Sequence, residues 1–194
     1  MVLIPYIIST FCLWILLSAI ALNFYFSKKN AVVKEKKSIV ETGSMLAFFM
    51  VTVLLVYLKI GALELNEKVD FALAVLGTTL IVAGTGINVA GRLALKENWG
   101  NQIRIYEHHT LVESGVYRYI RHPLYSSTIL MMYGFSFLFT NPIVFLLNTI
   151  IFLPFMVYRA KQEDAMLAIV FPDTFSKYKS KTGLFIPKLK KEAE

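Results

Sequence analysis

The charged residues of this chain are confined to four segments, and this distribution constrains the fold more than any other feature of the sequence. Every Lys, Arg, Asp and Glu lies in 28–41, 59–70, 92–121 or 159–194. The four stretches without formal charge, apart from any that His122 takes up, are 1–27, 42–58, 71–91 and 122–158. A helix that spans a bilayer needs about 20 apolar residues. Three of these stretches therefore predict one spanning helix each, and the longest one predicts two.

The predicted fold class is all-α, a polytopic membrane protein with five transmembrane helices. The first three helices are expected at about 4–26, 42–59 and 69–95, joined by a short, partly helical connection over 30–41 and a turn after Lys59. The Thr140-Asn141-Pro142 run interrupts the last uncharged stretch and predicts a turn there. The last two helices therefore form a C-terminal helical hairpin, and the 194 residues are expected to form one domain, 1–194.

The sign of the charged segments predicts the orientation in the membrane. Three of them carry more basic than acidic residues, and only 59–70 carries more acidic ones. Basic loops stay in the cytosol, which places the N-terminus outside and the C-terminus inside, and five crossings satisfy every loop. Because this rule accounts for the net charge of +7, the basic balance does not predict nucleic-acid binding.

Three glycines of the third helix, Gly77, Gly84 and Gly91, are spaced by seven residues and lie on one face. Small residues on a shared face let a second helix approach closely, so the pattern predicts helix packing. Asn88 adds a polar group to the cytosolic half of this helix. The alternative interpretation is that the thin face leaves room for a ligand near Asn88.

The sequence predicts neither a disulfide nor a metal site. Cys12 is the only cysteine, so no intramolecular pair can form. His108 and His109 are adjacent, and neighbouring side chains of a helix or strand do not face one metal. Without further Cys or His at ligand spacing, zinc is not expected.

Polar side chains that can do chemistry flank the hairpin on both sides. Before it, 111–125 reads LVESGVYRYIRHPLY, and after it come Arg159, Glu163 and Asp164. A hairpin returns its ends to one side, so the two groups are expected to meet at the cytosolic surface. Arg121 can form a two-pronged hydrogen bond with a carboxylate. The cluster is either a salt bridge that locks the hairpin to the loop or a functional site of the kind that ionisable groups near a membrane often form.

These elements together resemble a known family, the isoprenylcysteine carboxyl methyltransferases. The resemblance covers 98–187 and comprises LVESGVYRYIRHPLY, the Glu163-Asp164 pair, Phe171 with Phe175 and Tyr178, and the ending Phe185-Ile186-Pro187. Phospholipid N-methyltransferases share this signature. Two departures are Ser127, where the family usually has Gly, and Asp164, which replaces a second Glu. The short chain looks like a minimal prokaryotic or archaeal member, which would be a multi-pass protein of the cell membrane.

The resemblance implies S-adenosylmethionine as cofactor, with S-adenosylhomocysteine as product, in a cytosolic pocket. No Gly-x-Gly-x-x-Gly element suggests a Rossmann domain. Our hypothesis for the catalytic pair is that Glu163 takes the methionine ammonium and that Arg121 holds either the cofactor carboxylate or the substrate carboxylate. The other residues implied to bind the cofactor are Gln102, Leu111, Val112, Gly115, Tyr117, His122, Pro123, Tyr125 and Asp164.

The implied acceptor is a prenylcysteine-like lipid or lipidated substrate from the bilayer. Its carboxylate is ionised at neutral pH, so its methylation needs no general base. An amine acceptor would need a base, for which His122 and Glu163 are candidates. Three alternatives stay open on the sequence: a phospholipid N-methyltransferase, an NADPH-dependent sterol-type reductase and a non-enzymatic membrane scaffold.

Overall fold

The computed structural model describes residues 3–27, 32–36, 39–95, 103–106 and 110–188, which fold mainly into helices. The helices are α1 (Leu3–Ser27), α2 (Ile39–Tyr57), α3 (Glu67–Leu95), α4 (Pro123–Leu138), α5 (Pro142–Leu147), α6 (Leu153–Val170) and α7 (Pro172–Lys181). Within the described ranges, three helical stretches are long and apolar enough to cross a membrane: Leu3–Asn23, Glu67–Leu95 and Pro142–Val170. The structure thus supports a multi-pass membrane protein, and the count of five crossings stays a prediction because α2 and α4 are shorter.

Loop contacts place the ends of the helices as the charge pattern predicts. At one end, the Leu63 amide donates to the Thr140 carbonyl over 3.0 Å, and the Asn141 amide group donates to the Ile60 carbonyl over 3.0 Å. At the other end, Arg92 of α3 donates to Asn23 of α1 over 3.0 Å. The acidic loop and the hairpin turn therefore share one end, and successive long helical arms alternate in direction.

The glycine face of α3 packs against α4, as predicted. A Cβ atom added to Gly77 would lie 2.5 Å from the Gly134 carbonyl oxygen and 2.6 Å from the Leu138 amide nitrogen. One added to Gly84 would lie 2.8 Å from the Ser127 carbonyl oxygen. Because backbone atoms cannot move aside, only glycine permits this approach. The prediction of helix packing is confirmed.

Replacing Gly77 by valine is expected to force α3 and α4 apart and to lower the free energy of unfolding by about 2–3 kcal/mol. Unfolding of the purified protein in mixed detergent micelles measures this loss. Gly86→Val is the matched control, since a Cβ there meets nothing within 4 Å. Equal stability of the two variants would contradict the packing account.

The hairpin arm α4 is short, with 16 residues, or about 24 Å at 1.5 Å per residue. All of its residues are buried or half-buried, because α3 covers one side and α6 packs on another. The second arm contains a π-helical turn, Asn148–Phe152, between α5 and α6. Pro154 follows it and lacks the amide that a regular helix needs, which explains where the turn lies.

The predicted all-α fold class is confirmed, and the structure adds one short pair of strands to the helices. Strand β1 (Val32–Lys36) pairs in antiparallel fashion with β2 (Ile103–Tyr106). The connection over 30–41 is therefore extended in its first half, and it is helical from Ile39, where α2 begins. Both segments contain β-branched residues, VV in β1 and two isoleucines alternating with arginine in β2, and such residues favour strands. Trp99, Gly100, His108 and His109 lie outside the described residues.

Candidate active site

The motif 121–123 lies where the chain enters α4. Pro123 occupies the first position of that helix, where its fixed φ and missing amide cost nothing. Just before it, the amides of Arg121 and His122 donate to the carbonyls of Gly183 and Leu184 over 2.9 and 3.2 Å. The C-terminal segment is thereby held against the start of α4, and the side chains of the motif turn towards α6.

The imidazole of His122 lies between two carboxylates of α6. Its Nε2 is 2.8 Å from Oδ1 of Asp164, and its Nδ1 is 3.4 Å from Oε2 of Glu163. Successive residues of a helix point about 100° apart, so the adjacent pair reaches the ring from two sides. Burial, the largest effect, disfavours the charged ring, yet the hydrogen bonds and charges of Asp164 and Glu163 together raise the pKa of His122 to about 9. At neutral pH the ring is an imidazolium that donates to both carboxylates.

This arrangement predicts a pH-dependent stability. The pKa of His122 rises from 6.5 in the unfolded chain to about 9 in the folded one, so its contribution, about 3 kcal/mol, is fully present below pH 6.5. It is lost as the pH rises from 6.5 to 9. The free energy of unfolding in detergent, measured across this window, is expected to fall accordingly. His122→Gln should remove the fall, and an unchanged slope in that variant would contradict the assignment.

The side chain of Arg121 ties three elements together. Its Nη2 is 3.4 Å from Oδ2 of Asp164, and its Nη1 donates to the carbonyls of Lys179, over 3.3 Å, and of Thr182. Its Nε is buried and has no hydrogen-bond partner among the described residues. The predicted contact between Arg121 and the acidic pair is present, and it is of the kind that locks the hairpin to its surroundings.

The two carboxylates of α6, Glu163 and Asp164, differ in their exposure and in the cationic side chains that they contact. The side chain of Asp164 is 8% exposed and contacts both Arg121 and His122, whereas that of Glu163 is 37% exposed and lies at a longer distance from His122. Glu163 therefore has an open side on which it can meet a ligand, and Asp164 holds the site together.

Aromatic rings surround this cluster. Tyr125 stacks on His122 with ring centroids 5.5 Å apart and planes inclined by 14°. Tyr117 is buried, and its carbonyl accepts a hydrogen bond of 2.7 Å from the Tyr178 hydroxyl of α7. Burial and then the negative charge of Glu163 raise the pKa of the Tyr117 hydroxyl well above its usual range. Tyr117 is therefore a neutral hydroxyl within the field of Glu163.

The remaining predicted pocket residues lie on the segment that leads into the motif. Leu111 and Val112 are half-buried there. Gly115 begins a 3-10 turn, Gly115–Arg118, with φ +60°, a conformation that disfavours residues with a Cβ. Gln102 lies outside the described residues. The structure thus brings Tyr117 and 121–125 together with Glu163 and Asp164, and it places Leu111, Val112 and Gly115 on the segment before them.

Two polar residues that the sequence analysis named, Arg159 and Asn88, have contacts that their spacing did not predict. Arg159, one helical turn before Glu163, lies with its guanidinium carbon 5.9 Å from the centre of the Tyr125 ring. The sequence signal for this position was the spacing of four residues between Arg159 and Glu163, which places both on one face of α6. Asn88, considered as a ligand neighbour, instead bonds Arg92 and Ser127, each over 2.7 Å. The unusual Ser127 thus serves as a partner for α3. No group of three or more His, Cys, Asp and Glu side chains forms a metal site in the part of the chain described here.

Comparison with known proteins connects this geometry to a family. Residues 75–169 match the model of the isoprenylcysteine carboxyl methyltransferase (ICMT) family. This range contains both the motif 121–123 and the acidic pair of α6. The chain is similar to this family over that range, which is slightly less than half of its 194 residues. The resemblance to the ICMT family that the motifs indicated is therefore confirmed over a core that begins within α3 and ends within α6.

Individual relatives agree with this assignment. The chain is similar to a protein-S-isoprenylcysteine O-methyltransferase of Xenopus laevis, with 28% identity over 61% of this chain and 42% of the relative. It is also similar to one of Schizosaccharomyces pombe, with 33% identity over 41% of this chain and 34% of the relative. An Arabidopsis thaliana relative of the same name shows 27% identity over 73% of each chain. The chain spans about half the length of the curated relatives it matches.

A solved structure supports the ICMT fold. It is that of a eukaryotic intramembrane Ras methyltransferase, ICMT, which aligns with a TM-score of 0.57 and 21% identity. The alignment covers 78% of this chain and 53% of that protein. The helical membrane architecture is therefore shared.

Proposed function

We propose that this chain transfers a methyl group from S-adenosylmethionine to the carboxylate of a prenylcysteine-like acceptor dissolved in the membrane. The observation that carries the proposal is the cluster of His122, Glu163 and Asp164 at one end of apolar helices, inside the range matched by the ICMT family. A methyl donor from water and an acceptor from the bilayer can meet at such a boundary.

The residues present fit S-adenosylmethionine. The half-exposed carboxylate of Glu163 offers a negative charge to the methionine ammonium. Gly115 leaves open space beside its backbone: a Cβ atom added there would have Cβ of Ala94, at 3.6 Å, as its nearest neighbour. Tyr117 and Pro123 supply buried ring surface nearby. When bound, S-adenosylmethionine supplies an activated methyl carbon, whose bond to sulfur breaks as the acceptor oxygen bonds to it.

The protonation of His122 favours a carboxylate acceptor over an amine. With a pKa of about 9, this ring is charged at neutral pH and already donates to two carboxylates. It is therefore a poor general base there, and an amine acceptor needs a base to remove its proton. A carboxylate is already ionised. The residues then have only to position the reactants and exclude water, which is how much of an enzyme's rate acceleration arises.

The proposed location is a multi-pass position in the cell membrane, with the N-terminus outside and the site and C-terminus in the cytosol. The charge pattern of the sequence supports this orientation. The contacts of Leu63 and Asn141 with the hairpin turn support it as well, because they place the acidic loop at the end of the protein opposite His122.

A cofactor-dependent melting shift tests the proposed reaction class. S-adenosylhomocysteine at about a hundred times its Kd is expected to stabilise the detergent-purified protein by about 2.7 kcal/mol and to raise its Tm. NADPH at the same concentration is expected to leave the Tm unchanged. A shift with NADPH alone would favour a reductase, and no shift with either would favour a scaffold.

A further inference from the structure

A series of hydrogen bonds joins α3 to α4 close to the motif 121–123. Nε of Arg92 donates to Oδ1 of Asn88 over 2.7 Å, and Nδ2 of Asn88 donates to Oγ of Ser127 over 2.7 Å. The Ser127 hydroxyl donates in turn to the Leu124 carbonyl over 2.7 Å. Asn88 and Ser127 thus each accept one hydrogen bond and donate another, and bonds in such a series polarise one another. We call these four groups the polar relay.

The polar relay is enclosed by the two helices. Asn88 is 3% exposed, and Ser127 is fully buried. A buried polar group that loses its partner is unfavourable, so each member of the relay depends on the next one. The hydroxyl that completes the relay is a feature of this chain, because the family that the sequence resembles usually has glycine at position 127. With glycine there, the Asn88 amide would lose this acceptor.

The end of α3 that carries the relay also lies beside two sides of the proposed donor site. A Cβ atom added to Gly91 would lie 3.6 Å from Cγ of Pro123, at the start of α4. One added to Gly115 would lie 3.6 Å from Cβ of Ala94. The last turn of α3 therefore lies against both the start of α4 and the 3-10 turn in front of it. Sliding of α4 along α3 would change the space between these two segments.

We infer that Asn88 and Ser127 are positioning residues for the methyl donor, an inference that rests on the function proposed above. The glycine contacts set how closely α3 and α4 approach each other. The hydrogen bond from Asn88 to a single oxygen of Ser127 fixes where α4 lies along the axis of α3. Arg92 also donates to Asn23 of α1 over 3.0 Å, which links the relay to a third helix. The relay thus acts through the backbone of α4 on Pro123, and not on a reactant.

Binding of S-adenosylhomocysteine to the full chain in detergent, measured by calorimetry well below the melting temperature, tests this role. Ser127→Ala removes the hydroxyl and is expected to weaken binding about tenfold, and Asn88→Leu, which removes the partner amide, should do the same. Because both changes break one hydrogen bond, the double variant should also lose about tenfold and not about a hundredfold. In methyl transfer, the KM for S-adenosylmethionine should rise by the same factor, whereas the KM for N-acetyl-S-farnesylcysteine should stay within about twofold.

Thr128→Val is the matched control. The Thr128 hydroxyl donates to the same Leu124 carbonyl over 2.9 Å. This bond lies within α4, so its loss leaves the link to α3 intact, and the variant should bind S-adenosylhomocysteine as the wild type does. If Ser127→Ala does not fold, Ser127→Gly removes the same hydroxyl and carries the test with the same expected loss. If Asn88→Leu does not fold, the comparison of the position 127 variant with Thr128→Val decides alone.

Three results would overturn the inference and leave the proposed function standing. One is equal affinity of Ser127→Ala and Thr128→Val for S-adenosylhomocysteine. Another is a pair of losses that multiply in the double variant, because the two side chains would then act independently. The third is an equal rise in both KM values, which would indicate a general structural role. A wild type that does not bind S-adenosylhomocysteine would contradict the proposed function, and the inference with it.

Discussion

Replacing Glu163 by glutamine is expected to weaken the binding of S-adenosylmethionine about a hundredfold and to leave the protein folded. The substitution keeps the shape of the side chain and removes its charge. Charge-assisted hydrogen bonds contribute about 1.5–3 kcal/mol, and each 1.4 kcal/mol corresponds to a factor of ten. Because Glu163 is the more exposed of the two carboxylates, it can give up its distant contact with His122 and retain the rest of the packing.

Isothermal titration of the purified protein measures this loss, with the melting temperature as a check on folding. Glu113→Gln is a suitable control, since Glu113 is an exposed carboxylate on the segment before Gly115. It should bind S-adenosylmethionine as tightly as the wild type. Unchanged affinity in Glu163→Gln would remove this residue from the donor site.

Replacing Asp164 by asparagine is expected to have a different effect, a loss of about 3–5 kcal/mol in the free energy of unfolding. Asp164 is buried and contacts Arg121 at 3.4 Å and His122 at 2.8 Å. Without its charge, a buried guanidinium loses its ion pair and the imidazolium keeps only the more distant Glu163. The contacts of Arg121 with the carbonyls of Lys179 and Thr182 should loosen with it, because one side chain joins all three.

Unfolding in mixed micelles measures this loss. Asp173→Asn, at an exposed position near the start of α7, is the control and should be nearly neutral. The pair of substitutions on α6 separates two roles: Glu163→Gln should affect mainly ligand affinity and Asp164→Asn mainly stability. An Asp164→Asn protein as stable as the wild type would contradict this division.

The sequence alone was sufficient to predict where the long helices lie along the chain and in which order they follow. Charge is expensive in a bilayer, so the uncharged stretches had to mark the long helices, and their order alone brings 121–125 to Glu163 and Asp164. The seven-residue spacing of Gly77 and Gly84 was equally informative, since a helix repeats its face at that interval. Both features, the charge pattern and the helical spacing of the glycines, are local properties that can be read from the sequence alone.

Other features depend on contacts that no spacing reveals. The pairing of Val32–Lys36 with Ile103–Tyr106 joins segments far apart in the chain, and neither segment is long enough to signal a strand by itself. The hydrogen bond that Arg121 donates to the Thr182 carbonyl likewise depends on where the chain lies at the end of α7. Sequence also makes Glu163 and Asp164 look equivalent, whereas their neighbouring directions on α6 leave one buried and the other half-exposed.

Arg159 illustrates the same limit for a single side chain. In the sequence it is the first charge after a long apolar stretch and stands four residues before Glu163. In the folded chain it is buried against Tyr125 and Met45, because α2 and α4 close over that side of α6.

The central claim is that this chain methylates a lipid carboxylate, and transfer of a labelled methyl group measures it most directly. Purified protein in liposomes receives methyl-labelled S-adenosylmethionine with either N-acetyl-S-farnesylcysteine or phosphatidylethanolamine. The account predicts label in the farnesylcysteine product, released as methanol by mild base because the new bond is an ester, and none in the phospholipid. Base-stable label on phosphatidylethanolamine, with none on the prenylcysteine, would contradict it.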